Sequence, residues 1–227
     1  MTAKSALSRI RLAAFLVCVG LSVPVLSVEN LVEEWVKQEA GQDRRYHHPD
    51  ISPDDRFTAF SVSSESWNGN TIWIHETTTG QLTQLTSADT SASLGDVLVR
   101  WSPQGDLLGF ASDRGGESHI YTISAAGGTP RRIATGPLPA SAWFCRFSFS
   151  PDGQRVVYSD GDDQETNLYS VHLGDGRIEQ LTHFVGRLIQ NPDWSPDGTE
   201  IIYESGQEFF IWDVTHGVER PLETSPR

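Results

Sequence analysis

The chain has 227 residues, of which 37% are hydrophobic, so it is long and apolar enough to bury the core of one or two globular domains. Its 30 acidic residues outnumber the 17 basic ones and give a formal net charge of −13. An acidic balance of this size disfavours a nucleic-acid partner and direct adsorption to anionic lipid headgroups.

The first 27 residues have the layout of a secretory signal peptide. Three basic residues precede an apolar run from Leu12 to Val23, and a small-residue context ends at Ser27. We therefore predict export to the periplasm or outside the cell, with cleavage near residue 27 and no stable membrane insertion afterwards. Cleavage would leave Cys145 as the single cysteine and exclude an internal disulfide. The alternative is an uncleaved anchor, although Leu12 to Val28 falls short of the roughly 20 apolar residues that span a bilayer.

A short lead-in, residues 28–45, separates this segment from the rest of the chain. Its sequence "ENLVEEWVKQEAGQ" brings Leu31, Val32 and Trp35 onto one face of a helix. We predict one short amphipathic helix or an irregular segment here.

From residue 46 onward, one turn sequence recurs four times, as "ISPDD", "WSPQG", "FSPDG" and "WSPDG". A large apolar residue precedes each serine, and an aromatic residue follows eight positions after it. Ser, Pro, Asp and Gly in this order predict a type I turn followed by a bulge, because proline presets φ and glycine tolerates positive φ. We call these turns the corners; their serines are Ser52, Ser102, Ser150 and Ser195.

Each corner begins a unit of four short strands. A strand follows the corner, a second strand contains an aromatic residue among β-branched ones, and a last strand reads "QLT" in units one and three. Several strands after the corners are continuous apolar runs, which need cover on both faces. Four-stranded units that repeat every 45 to 50 residues and are buried on both faces predict the blades of a β-propeller.

The predicted fold class is all-β, with four four-stranded antiparallel blades after an N-terminal signal segment. The expected blades are residues 46–88, 95–136, 142–184 and 189–223, followed by a tail at 224–227. All units run in the same strand order, so no strand from one end completes a blade at the other. We therefore expect an incomplete arc whose first and last blades expose apolar faces.

These units resemble the TolB-like β-propeller repeat, an SPDG-type and WD-repeat-like family. The resemblance rests on the corners, on "SDRGG" from Ser112, on Ile120-Tyr121 and on the closing "QLT", and it covers Tyr46 to Glu223. It implies a propeller like that of the periplasmic TolB protein or of prolyl-oligopeptidase-like serine peptidases. It is not a resemblance to full-length TolB, which carries an α/β domain before its propeller.

The sequence contains no signature of catalysis. No G-x-S-x-G nucleophile elbow is present, and the corner serines are structural because they repeat. The histidines are scattered over nonequivalent positions without metal-ligand spacing. We predict a protein that is not an enzyme and uses no cofactor.

Polar residues precede the corners on the first strand of each unit, which lines the central channel of a propeller. Two readings stay open: a polar lining of a water-filled channel, or a binding site. The candidate binding residues are Asp50, Arg100, Arg146 and Asp193, with Ser148 and His48 at related positions.

An acidic loop, "SDGDDQETN", offers a weak candidate for Ca²⁺. Its carboxylates are those of Asp160, Asp162, Asp163 and Glu165, but they lack the spacing of an EF-hand loop. The alternative is an ordinary solvated loop between two strands.

Taken together, the sequence predicts a non-enzymatic exported propeller module of the bacterial envelope or periplasm. Its expected partners are a protein, through binding or self-association at open blade edges, or a glycan. The alternative is a propeller fragment of a prolyl-oligopeptidase-like serine hydrolase that lacks the catalytic domain.

Overall fold

The computed structural model describes residues 44–64, 69–88, 92, 94–133, 147–162 and 164–222. The predicted signal segment, residues 28–43 of the lead-in and the tail lie outside these residues. In the described part of the chain no helix is long and apolar enough to cross a bilayer.

The described residues form four antiparallel sheets of four strands, and consecutive strands are neighbours in every sheet. Blade 1 contains β1 (Arg44–Ile51), β2 (Phe57–Ser64), β3 (Thr71–Glu76) and β4 (Leu82–Gln84). Blade 2 contains β5 (Asp96–Trp101), β6 (Leu107–Ser112), β7 (His119–Ser124) and β8 (Arg131–Arg132). Blade 3 contains β9 (Ser148–Phe149), β10 (Arg155–Gly161), β11 (Thr166–His172) and β12 (Ile178–Gln180). Blade 4 contains β13 (Gln190–Trp194), β14 (Glu200–Ser205), β15 (Glu208–Asp213) and β16 (Val218–Pro221).

The corners form by the predicted turn chemistry. In blade 1 the Ser52 hydroxyl donates to Asp54 Oδ1 at 2.6 Å and accepts the Phe57 amide at 2.9 Å. Blades 3 and 4 repeat both contacts. In blade 2, where Gln104 replaces the aspartate, Ser102 donates instead to Asp106. The left-handed position is glycine in three corners and Asp55, at φ 60°, in the first.

The core lies between neighbouring blades. The residue before the corner, Trp101, Phe149 or Trp194, is buried in a different interblade cluster in each case. These clusters join blade 1 to blade 2, blade 2 to blade 3 and blade 3 to blade 4, whereas no cluster of described residues joins blade 4 to blade 1. The prediction of four four-stranded blades in an arc that does not close is confirmed.

The two ends of the arc differ from what we expected. Blade 4 does expose apolar side chains on its outer face: Phe209 is 41% exposed and Val218 is 55% exposed. In blade 1, however, Phe60 and Val62 on the outer face are buried, at 1% and 3% exposure, and Trp73 and Leu82 are partly buried. The expectation of an exposed apolar face was therefore wrong for blade 1.

A glycine allows blades 2 and 3 to approach closely. A Cβ at Gly109 of β6 would lie 2.6 Å from Phe147 Cε2 and 3.0 Å from Phe149 Cε2. We expect Gly109→Ala to lower the free energy of unfolding by about 1–3 kcal/mol, because both rings must move within a packed interface. Denaturant unfolding checks this.

Gly174→Ala is the matched control for that measurement. Its Cβ would meet only His172 Nδ1, at an ordinary 3.7 Å, and its φ is not positive. The control should change stability by less than about 0.5 kcal/mol. Equal losses at the two glycines would mean that the blade 2–blade 3 interface is not close-packed.

Candidate functional site

The first strands of three blades carry the same backbone feature. The residue four positions before the corner serine has a positive φ in each of them: 55° at His48, 57° at Leu98 and 52° at Asn191. At each of these places the pairing with the next strand shifts register, which marks a β-bulge. Bulges re-aim side chains, so each of these strands turns its residues toward a common cleft. The equivalent residue of blade 3, Arg146, lies outside the described residues.

The first strands of all four blades enclose this cleft, which has a volume of about 730 Å³. It brings together the predicted channel residues Asp50, Arg100, Ser148 and Asp193. His48, Leu98, Asn191 and Glu204 also line it. Sequence reasoning missed Glu204, which reaches the cleft from the second strand of blade 4, where its Oε2 accepts a hydrogen bond from Asn191 Nδ2 at 3.0 Å.

Asp50 joins blade 1 to blade 2. Its Oδ2 accepts the Trp101 amide at 2.7 Å, and its carbonyl oxygen accepts Trp101 Nε1 at 3.2 Å. The amide of the next residue, Ser102, donates to the Leu107 carbonyl within the same sheet. Successive amides of a strand point to opposite sides, so the Trp101 amide points away from β6 and is available to Asp50. Burial raises the pKa of Asp50, while the Trp101 amide and the Arg100 guanidinium act in the opposite direction. Asp50 thus has a structural role in addition to any contact with a ligand.

Ser148, which occupies the position of Asp50 in blade 3, links blade 3 to blade 4. The Ser148 hydroxyl donates to Asp193 Oδ1 at 2.5 Å, and the Trp194 amide approaches Ser148 Oγ at 3.4 Å. Asp193 itself is exposed to solvent. Arg100 donates a long bond of 3.5 Å to the Val99 carbonyl. Arg100 is therefore the described charged residue of the predicted ring that is least committed to holding the blades together, whereas Asp193 accepts one interblade hydrogen bond on an exposed carboxylate.

We expect Asp50→Ala to lower the free energy of unfolding by about 1–3 kcal/mol, because it leaves the Trp101 amide without its acceptor. Asp50→Asn keeps a carbonyl acceptor and should restore most of that loss. Asp193→Ala is the control at the equivalent, exposed position and should cost less than about 1 kcal/mol. Urea unfolding of the three variants is the measurement, and equal losses at Asp50 and Asp193 would contradict the interblade role of Asp50.

The acidic loop uses its carboxylates on the backbone. Asp162 Oδ1 accepts the amides of Gln164 and Glu165, each at 2.8 Å, and these bonds lower the pKa of Asp162. Asp160 Oδ1 accepts the Gly161 amide at 2.8 Å. Glu165 Oε2 accepts the Gly186 amide at 2.8 Å. Asp163 lies outside the described residues, among which no three His, Cys, Asp or Glu residues lie close enough to hold a metal ion.

Comparison with known families assigns the repeats. The model of the TolB β-propeller domain matches residues 22–209, well over half of the chain. The chain belongs to the TolB β-propeller domain family. The resemblance read from the corners is confirmed.

Two relatives match about half of this TolB β-propeller chain. An uncharacterized protein of Agrobacterium fabrum, Atu1656, is 38% identical over 116 residues, which are 50% of this chain and 38% of the relative. An uncharacterized peptidase of Bacillus subtilis, YuxL, is 31% identical over 134 residues, which are 56% of this chain and 17% of the relative. The chain therefore spans less than half the length of either relative.

A solved structure supports the fold of this TolB β-propeller chain. The structure of a putative TolB from Agrobacterium tumefaciens superposes with a TM-score of 0.63 at 23% identity, and the match covers 79% of this chain and 62% of that one. At this level of identity the match supports the fold rather than a particular activity.

Proposed function

We propose that the chain is a non-enzymatic binding module of the bacterial envelope, whose partner protein contacts the outer face of blade 4 and the adjoining cleft. The observation that carries this proposal is the open arc, because it leaves one sheet face of blade 4 without a neighbouring blade among the described residues. Phe209 and Val218 are exposed on this face, and apolar side chains exposed beside a polar rim are typical of an interaction site.

The outer face of blade 4 has apolar side chains and a charged rim. Ile201 and Tyr203 pack toward blade 3, so the alternating residues Ile202 and Glu204 point outward. Opposite them on β15 lie Phe209, which is 41% exposed, and Ile211, which is 8% exposed. Glu200, Asp213 and Val218 border or extend this surface, and Arg220, opposite Ile211, donates to Glu200 Oε1 at 2.8 Å. Such a face fits a partner that combines an apolar contact with complementary polar side chains.

The cleft supplies the polar part of the proposed site. Arg100, Asp193 and Glu204 line it. We assign the contacts with a partner or a glycan to Arg100, Arg146 and Asp193, with a minor contribution from Asp50. A cleft of about 730 Å³ is large enough for a side chain or a sugar unit. Because carboxylates predominate here, a neutral or basic ligand group fits better than an anion.

A matched set of variants tests the binding role. Phe209→Asp and Val218→Asp place charges among the apolar side chains of the outer face of blade 4, Arg100→Ala alters the cleft, and Val185→Asp is the control because Val185 is 88% exposed in the segment before blade 4. Wild type and each variant are used to capture proteins from an envelope extract, followed by mass spectrometry. The proposal expects a protein that wild type and the control retain and that the Phe209 variant loses. A captured set that is the same for all variants would exclude this face.

Export is part of the proposal, and the signal-like first 27 residues support it. Intact mass of the protein recovered from a periplasmic fraction should lack about the first 27 residues. Recovery of the chain with Met1 in the membrane pellet would replace export by anchoring.

A hydrolase fragment is the second candidate function, because the Bacillus subtilis relative is named a peptidase. The sequence has no nucleophile elbow, so we expect a fluorophosphonate probe to leave the purified chain unlabelled. Stoichiometric labelling of one serine would overturn the non-enzymatic role.

A further inference from the structure

Blades 2, 3 and 4 each contain a stacked aromatic pair, with a first ring from the second strand and a second ring from the third. The pairs are Phe110–Tyr121, Tyr158–Tyr169 and Tyr203–Phe210. Their ring centroids are 5.9, 5.9 and 6.0 Å apart. The first ring of each pair stands eight positions after its corner serine, so the three pairs can be compared position by position.

In blade 2 an arginine binds the pair. The Arg114 Cζ atom lies 5.5 Å from the Phe110 ring centroid and 5.3 Å from that of Tyr121, within the range of a cation–π interaction. Its Nε donates to Ser112 Oγ at 3.2 Å, two positions after the first ring. Its Nη2 donates to the carboxylate oxygens of Asp96 at 2.7 and 2.6 Å.

Blade 4 repeats this arrangement with an arginine from a different part of the chain. Arg187 precedes β13, and its Cζ atom lies 4.1 Å from the Phe210 centroid and 5.8 Å from that of Tyr203. Its Nε donates to Ser205 Oγ at 2.9 Å, again two positions after the first ring. Its Nη1 forms an ion pair with Glu219 at 2.7 Å. We call this place, over the paired rings and beside the acceptor, the guanidinium site.

Blade 3 has the rings and a carboxylate, but no guanidinium of a described residue lies over its pair. Asp160 stands two positions after Tyr158, where the other two blades have serine. Its Oδ1 accepts the Gly161 amide at 2.8 Å, and no other hydrogen bond to it comes from the described residues. Asp160 and Tyr169 are both partly exposed. The guanidinium site of blade 3 is therefore open to solvent.

The two sequence positions that supply arginine to the other blades are not basic in blade 3. Arg114 stands four positions after the first ring of blade 2, and Asp162 has that position in blade 3. Arg187 stands eight positions before the corner serine of blade 4, and Ala142 has that position in blade 3. Blade 3 thus keeps the acceptor of the guanidinium site and replaces both donors.

The surroundings of this site favour a cation. Burial raises the pKa of Tyr169, and the nearby carboxylates of Asp160 and Glu165 raise it further. Burial also raises the pKa of Asp160, while the Gly161 amide and the His119 imidazole of blade 2 oppose this effect. A partly buried carboxylate beside an aromatic ring gains more from a charged donor than a fully hydrated one does.

We propose that Tyr158, Tyr169 and Asp160 form a binding site for an arginine side chain of a partner protein. The guanidinium lies over the paired rings and donates to Asp160, as the chain's own arginines do to serine in blades 2 and 4. Arginine fits better than lysine, because the planar guanidinium stacks on a ring and donates from two nitrogens at once. The net charge of −13 also favours a basic partner. This site belongs to blade 3, so the inference stands whether or not the outer face of blade 4 binds a protein.

Titration with N-acetyl-arginine amide tests the site in the full chain labelled with ¹³C-tyrosine. The ring signals of Tyr169 should shift in NMR spectra until they saturate. N-acetyl-citrulline amide, which has the same shape without the charge, should not shift them. Asp160→Ser should weaken arginine binding at least about tenfold, because it removes a charged acceptor. Asp162→Ser, which removes an exposed carboxylate of the same loop, is the control and should change the affinity less than about threefold.

A second pair of variants fills the site from within the chain. Asp162→Arg places an arginine where blade 2 has Arg114, and it should abolish binding of the arginine probe. Gln207→Arg is the control, because it adds an arginine at the equivalent position of blade 4, whose site Arg187 already occupies. It should leave the affinity of blade 3 unchanged.

Three results would overturn the proposal. They are the absence of a saturable shift of Tyr169 in wild type, equal binding of the arginine and citrulline probes, and binding that appears only in Arg146→Ala. The last would identify the chain's own Arg146 as the occupant. Comparison of the two probes on wild type decides the matter even if Asp160→Ser fails to fold.

Discussion

Replacement of Trp101 by Ala should lower the free energy of unfolding by about 3–5 kcal/mol, the range for emptying a large buried aromatic site. Trp101 is 8% exposed and packs in the cluster between blades 1 and 2, near Phe57. Its indole Nε1 also donates to the Asp50 carbonyl, so the truncation removes both packing and one interblade hydrogen bond. Denaturant unfolding measures the loss.

Two further variants define what that result means. Trp194→Ala should cost a similar amount, since Trp194 is equally buried between blades 3 and 4 and lies under the Arg155 guanidinium at 4.8 Å. Phe209→Ala, which truncates an aromatic side chain on the open face of blade 4, should cost less than about 1 kcal/mol. Equal losses at Trp101 and Phe209 would mean that the blade interfaces do not supply the stability of the arc.

Acid should destabilise the chain through His75 by about 3 kcal/mol between neutral pH and pH 4. The folded-state pKa of His75 is about 4 because burial disfavours the charged ring, against about 6.5 when the chain is unfolded. Within this interval the unfolded state binds a proton that the folded state does not, so stability falls as pH falls from about 6.5 to about 4. Above pH 6.5 the contribution no longer changes.

Comparison with His75→Gln separates this effect from other titrations. His47, whose pKa is also lowered by burial, acts in the same direction, whereas the raised pKa of Asp50 and Asp160 acts in the opposite one. Urea unfolding of both proteins at pH 7, 6, 5 and 4 yields the difference in stability at each pH. The stability advantage of wild type over His75→Gln should narrow or reverse toward pH 4. If the two plots of stability against pH run parallel, His75 is not desolvated in the folded chain.

Much of the fold could be predicted because its signals are local. A corner needs only a serine, a proline, an aspartate or its substitute and a residue that tolerates positive φ, and all of these lie within five positions of one another. Blade 2 illustrates the tolerance of this chemistry, since Asp106 takes the hydrogen bond that Gln104 cannot. The aromatic residue eight positions after each serine lies within the strand that the corner begins, so its spacing from the corner is local as well.

The candidate site was less predictable because its geometry depends on backbone irregularity. Asp50, Arg100 and Asp193, which their spacing from the corners singled out, line one cleft. The bulges at His48, Leu98 and Asn191 were missed. Asn191 favours the left-handed region, but Leu98 gives no such signal, because its conformation is imposed by the pairing of β5 with β6.

The sequence by itself determined the repeat, the strand order and the all-β class, since these follow from turn chemistry and from short apolar strands that recur every 45 to 50 residues. Only the tertiary structure decided that Asp50 holds blade 2 through Trp101, which lies 51 positions later in the chain. It also decided that the outer face of blade 1 is buried while that of blade 4 is open. The physical reason is that a single blade does not determine what covers its two faces: burial and interblade hydrogen bonds arise only when distant segments pack together.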